Sequence, residues 1–144
     1  SRYCGTDGLV LVGDAFAFLD PVFSSGVFFA LKSGAMAADT IHAALESGEH
    51  SAKSFERYGR KMCEGVELMR KIVYAFYDET FSFGDLIRNY PELRPDLTDC
   101  LIGNLEKSDF KKLVRAMGEF ASLPAELDHG RQGLRPPAVT LPTA

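Results

Sequence analysis

Phe55, Tyr58, Met62, Val66, Met69, Val73 and Phe76 follow one another at intervals of three or four residues. That spacing places all of them on one face of a single α-helix, with Arg57, Lys61, Glu64 and Arg70 on the other. The pattern predicts a helix over residues 52–78, roughly 40 Å long at about 1.5 Å per residue. Gly59 and Gly65 weaken it locally by about 1 kcal/mol each relative to alanine. The body of the chain therefore reads as helical.

Further helices are expected on both sides. One runs from Ser25 or Gly26 to about Glu46, with Ser24 or Ser25 as its cap and Ser47-Gly48 as its stop. Its start, Val27-Phe28-Phe29-Ala30-Leu31, is apolar all round, which predicts deep burial. Its middle, Ser33 to Ala38, is small and would let another backbone come close. Shorter helices are expected over 82–89, over 95–104 with Pro95 in the first turn, and over 109–121 behind Ser108 or Asp109. After Leu123 no period survives, and the segment reads as a flexible tail.

The chain has 144 residues, 46% of them apolar, so it can build one core but not two. Sixteen basic residues against twenty acidic ones leave no basic footprint for nucleic acid. No apolar run reaches the ~18 residues that cross a bilayer. Cys4, Cys63 and Cys100 are odd in number and widely scattered, which fits neither a disulfide framework nor a zinc motif. A reducing, cytoplasmic setting is the simpler expectation. The opening Ser1-Arg2-Tyr3-Cys4 reads as a cut inside a longer protein.

The residues from Gly8 to Val27 carry the chemistry. Leu9-Val10-Leu11-Val12 is a short run between glycines, too short for a helix, and suits a strand buried on both faces of a parallel sheet. A lone strand needs partners from elsewhere. It ends in Gly13-Asp14, turns at Asp20-Pro21 and feeds a helix N-terminus at Ser25-Gly26. A strand end beside a helix start is a common ligand site in α/β proteins. Free N–H groups there favour an anion or an electron-rich carbonyl, and Asp14 could accept from a sugar or polyol hydroxyl.

This string resembles the flavin-contacting motif of FAD-dependent monooxygenase-type proteins, Gly-Asp-Ala followed by a Pro-x-x-x-x-Gly loop. It is closer still to flavin-dependent halogenases and their relatives, whose Phe-x-x-Pro-x-x-Ser-x-Gly pattern is met by Phe18, Pro21, Ser24 and Gly26. The resemblance extends more weakly to about Ala121, including Tyr90 to Leu97, and does not cover the tail. It implies that Asp14 bonds the ribityl chain of FAD and that Gly13 permits the turn before it. The amides of Gly26 and Val27 would face the pyrimidine edge of the flavin, Pro21 would shape the loop against the ring, and the Ser25 and Gly26 amides would form a halide site. The implied chemistry is oxidation of chloride or bromide by reduced flavin and O2, or another flavin reaction in a reductase or hydroxylase relative.

Two departures stand out. Phe16-Ala17 occupies positions where the family has small residues. No Gly-x-Gly-x-x-Gly cradle for the ADP half of FAD is present, and Lys32 lacks the context of the family's active-site lysine. The implied architecture is mainly α, with one or a few strands belonging to a Rossmann-like, monooxygenase-type FAD-binding α/β fold. Residues 1–48 would be the last piece of that fold, 49–122 a helical C-terminal region, and 123–144 the tail. The expected partners are the N-terminal FAD-binding portion, a flavin reductase or other source of reduced flavin, a small aromatic or other electron-rich substrate, and further copies of the chain. By itself the segment is expected to be inactive.

The remaining candidates have plainer explanations. His42, His50 and His129 lack ligand spacing. Ser24 and Ser25 lack a base, Cys63 suits packing, and Lys111, Lys112 and Arg115 suit a solvated helix face. Phe81 and Phe83 suit a core. A reading of a different class is a helical interaction or oligomerisation module with no catalysis of its own.

Overall fold

Twelve buried residues line the helix α2, Glu56–Tyr77, and everything else is arranged around it. The computed structural model describes residues 5–104 and 110–127. A 3-10 turn over Ala52–Phe55 leads into α2, so the long helix falls where the stripe predicts it. Phe55, Tyr58, Met62, Val66, Met69 and Val73 are all buried. Phe76 is not, being half exposed at the end of the stripe where the neighbouring elements diverge.

The other helices are α1 (Gly26–Ser47), α3 (Phe83–Asn89), α4 (Arg94–Leu101) and α5 (Lys111–Met117). Ser82 caps α3 by accepting the Asp85 N–H at 3.2 Å, and Pro95 sits in the first turn of α4. Met69 and Ile72 of α2 share one cluster with Leu86, Leu97, Leu113 and Met117 from the three short helices. Phe81 and Phe83 pack against it edge to face, ring centres 4.8 Å apart, as core aromatics should. Cys63 and Cys100 are buried. The expected caps Ser108 and Asp109, together with Cys4, His129 and residues 128–144, lie outside the described residues.

Residues 123–127 have no regular structure but are held against α2. Arg70 pairs with the buried Glu67 at 2.7 Å and also donates to the Ala125 carbonyl, while Lys71 reaches Glu126 at 3.0 Å.

Three expectations need correction. The Gly8–Gly13 run is not a strand buried on both faces of a parallel sheet. Only β2, Leu9–Val10, is extended, and it pairs antiparallel with β1, Gly5–Thr6. Leu9 is 52% exposed because no further strand covers it among the described residues. The start of α1 is not deeply buried either. Phe29 is inside, but Val27 and Leu31 are more than 70% exposed. A helix lying on a single layer can hide only one side, and α1 hides the side of Phe29, Ser33, Ala37 and Ala44. Finally, Ser25 stands at the cap position without a side-chain cap bond, and Ser24 is left-handed at φ 52°.

The C-terminus of α1 closes at Gly48. At the end of α4, Gly103 has φ 75° and touches the Phe28 ring so closely that a Cβ there would overlap it. This contact fastens α4 to the first turn of α1. Among the described residues no helix is long and apolar enough to cross a membrane.

Candidate functional site

The end of β2 turns sharply at Gly13, whose φ is 55°. L-residues avoid that region because Cβ crowds the following carbonyl. Here a Cβ would also sit 3.3 Å from the Cβ of Ala30 on α1. The Gly13 N–H donates to Ser33 Oγ at 2.8 Å, and that hydroxyl donates to the Ala30 carbonyl at 3.0 Å. Ser33 is fully buried. Of the small residues expected to admit another backbone, Ser33 does so, with Ala30 one turn earlier, and the visitor is this turn. The Gly13 carbonyl accepts from Phe16 and Ala17, closing a 3-10 turn over Gly13–Ala15.

Asp14 sits inside that turn and faces solvent, and no other described residue pairs with its carboxylate. Phe16, the bulky departure, packs edge-on against Tyr58 at 5.9 Å. Tyr58 also donates to the Leu11 carbonyl at 2.7 Å, so α2 holds the strand end in place.

A second turn, Pro21–Phe23, delivers the chain to α1. Asp20 caps it by accepting the Val22 N–H at 3.2 Å. Ser25 is buried and its carbonyl accepts from Phe29. The N–H groups of Gly26, Val27 and Phe28 have no intrahelical partner, as in any α-helix, and no Ser25 side-chain bond relieves them. A 22-residue helix thus presents the positive end of its dipole here. Gly26 has open space where a side chain would be.

These pieces meet. Gly13, Asp14 and Gly26 line one shallow hollow, open to solvent and floored by apolar residues such as Phe29 and Met62. Pro21, Ser25 and Val27 are nearby in sequence but do not line it. The hollow combines an exposed carboxylate, an exposed helix start and an apolar wall. Such a surface can accept a polyol hydroxyl, oppose a partial negative charge and cover one side of a flat ring.

Three residues that build this geometry carry no motif. Ser33 looks like any other small helix residue. Tyr58 belongs to the apolar stripe, and only its hydroxyl distinguishes it from Phe55. Tyr77, one step past the stripe, donates to Asp20 Oδ1 at 3.1 Å. Elsewhere, His42 lies within 3.4 Å of Glu46 on exposed α1 surface, and Lys111, Lys112 and Arg115 are solvated.

Residues 4–82 match the tryptophan halogenase family. Over 127 residues the chain is 30% identical to a 1H-pyrrole-2-carbonyl-(peptidyl-carrier protein) chlorinase of Pseudomonas fluorescens, covering 88% of this chain and 28% of the relative. A brominase acting on the same carrier-bound group, from Pseudoalteromonas luteoviolacea, is 35% identical over 67% of this chain and 23% of its own length. A digeranylgeranylglycerophospholipid reductase of Methanocella arvoryzae is 39% identical over 42% of the chain and 16% of its own length. The chain thus spans about a quarter of the length of the two halogenating relatives.

Proposed function

Since this chain belongs to the tryptophan halogenase family, we propose that it is the C-terminal part of an FAD-dependent, halogenase-like oxidoreductase. The observation that carries this reading is the meeting of Gly13, Asp14 and Gly26 in one hollow at an uncapped helix start. These residues fit FAD: Asp14 offers an exposed acceptor for a ribityl hydroxyl, and Gly26 leaves room for a ring to approach the α1 amides. The flavin would supply the redox chemistry, with the strictly local work left to this chain.

Asp14 orients the ribityl chain. The amides of Gly26 and Val27 would face the pyrimidine edge of a bound flavin and would stabilise negative charge there. The Ser25 and Gly26 amides would hold chloride or bromide, and Pro21 would shape the loop against the flavin ring. The helical region walls the substrate side. A flavin reductase supplies reduced flavin, and the substrate is a small aromatic or other electron-rich group. The N-terminal portion of the same protein provides the ADP cradle and packs on the exposed side of α1.

Reduction rather than halogenation is the second reading, supported by the likeness to the Methanocella arvoryzae reductase over 42% of the chain. Both readings need flavin. In the full-length protein, FAD should bind with a visible flavin spectrum, and Asp14→Ala should weaken it about tenfold, the effect of losing a hydrogen bond to a charged group. Chloride or bromide should perturb that spectrum if the site halogenates. Absence of FAD binding with Asp14 intact would sink the proposal and favour an interaction module.

A further inference from the structure

The loop that leads through Ser25 to Gly26 at the hollow is anchored at two points, both on the far end of α2 and its continuation. Tyr77, the last residue of α2, donates its hydroxyl to Asp20 Oδ1 at 3.1 Å. The same oxygen accepts the Val22 N–H and caps the turn Pro21–Phe23. At the other end of that turn, Phe23 packs edge-on against Phe76 at 5.4 Å and Phe83 at 6.2 Å. Ser24 follows immediately in a left-handed conformation that a non-glycine residue adopts only when its surroundings hold it there. Two residues later α1 begins.

We propose that Tyr77 and Asp20 are positioning residues, a latch through which the end of α2 sets where the Ser25 and Gly26 amides point. This rests on the flavin and halide reading above. Neither side chain lines the hollow, so neither is offered as a contact to flavin or halide. They act through the Pro21–Phe23 turn. Phe23, with its aromatic neighbours, restrains one side of the turn, and the Tyr77–Asp20 bond restrains the other. Without that bond the strained Ser24 is free to relax, and the helix start shifts with it. The bond to Asp20 holds the Tyr77 hydroxyl above the ordinary tyrosine range, so it remains a donor throughout neutral pH. Tyr77 is 58% exposed, so removing one hydroxyl there takes little from the core.

The test uses Tyr77→Phe, Asp20→Ala and Asp20→Asn in the full-length protein. Asn keeps an acceptor at the same place. Chloride and bromide are titrated against the spectrum of bound FAD, thermal midpoints are recorded, and amide exchange is followed over residues 22–29. Tyr77→Phe and Asp20→Ala should each raise the half-saturating halide concentration about threefold, in keeping with one lost hydrogen bond. The double variant should be no worse than either single one, and Asp20→Asn should stay near the parent. Thermal midpoints should scarcely move, while exchange at residues 22–29 quickens. Unchanged halide titration and unchanged exchange in Tyr77→Phe would overturn the latch while leaving the flavin reading intact. A parent protein that binds neither FAD nor halide overturns the flavin reading instead. Exchange then decides the latch alone: faster exchange in Tyr77→Phe supports it as a loop anchor, and no change overturns it.

Discussion

Gly13 joins β2, the Asp14 turn and α1 by virtue of an atom it lacks. Replacing it with alanine demands a left-handed conformation costing about 1–2 kcal/mol and crowds Ala30 as well. Gly13→Ala should therefore lower stability by at least about 1 kcal/mol in denaturant titration. In the full-length protein it should weaken FAD about tenfold by displacing Asp14. Cys100 makes a separate prediction. Burial first, then the nearby Asp96 and Asp99, push its thiol up to about 12. Thiolate is the reactive form, so iodoacetamide at neutral pH should modify Cys100 only once the protein is unfolded, as read by peptide mass mapping. Much of this was legible from residues. Gly13 announces itself because its left-handed turn against Ala30 leaves no room for a side chain, whereas Asp14 and Gly26 stand out only through the string around them. Ser33 does not. Its role depends on the rotation of α1 against the Gly13 turn, and no local pattern encodes that.

At the level of elements, α2 was legible because its stripe is one-sided, and the helix formed there to within a residue of its expected end. The start of α1 was misread for the same reason in reverse. An all-apolar stretch says that two faces avoid water, but not which of them the described residues cover. The short β2 was misread because a strand's neighbours are distant in sequence or absent from it. Between α2 and α3, Asp78 holds the joint. Its carboxylate accepts from the Thr80 side chain at 2.6 Å, from the Ser122 N–H at 2.9 Å and from the Thr80 N–H at 3.0 Å. Those bonds lower its pKa in the folded protein, the Thr80 hydroxyl contributing most. The stabilisation is then fully present above the ordinary carboxylate value of about 3.9 and is lost as pH falls through the lower folded value. Asp78→Asn should lower the thermal midpoint at pH 7 by roughly a few degrees. The gap to the parent should narrow progressively below about pH 4. A gap that stayed constant from pH 7 to pH 3 would contradict the assignment.

For the molecule as a whole, α1 is the element with two jobs. One side carries Phe29, Ser33 and Ala37 against the Gly13 turn and the core. The other shows Val27, Leu31 and Leu45 to solvent, each more than 60% exposed. Large apolar side chains exposed along one side of a helix suit an interface, because each exposed square ångström forgoes about 25 cal/mol of burial. Two surroundings are then distinguishable by one pair of substitutions. For residues 1–144 alone, the open side of α1 should drive self-association, and Val27→Lys with Leu31→Lys should return the light-scattering mass toward that of one chain. In the full-length protein the same pair should instead cost stability and FAD retention, because the lysines would be forced against the portion proposed to pack there. Opposite signs in the two settings would tie the stripe to an intramolecular partner. Improved solubility with unchanged FAD binding in both would place the stripe on a true outer surface and remove α1 from the proposed domain contact.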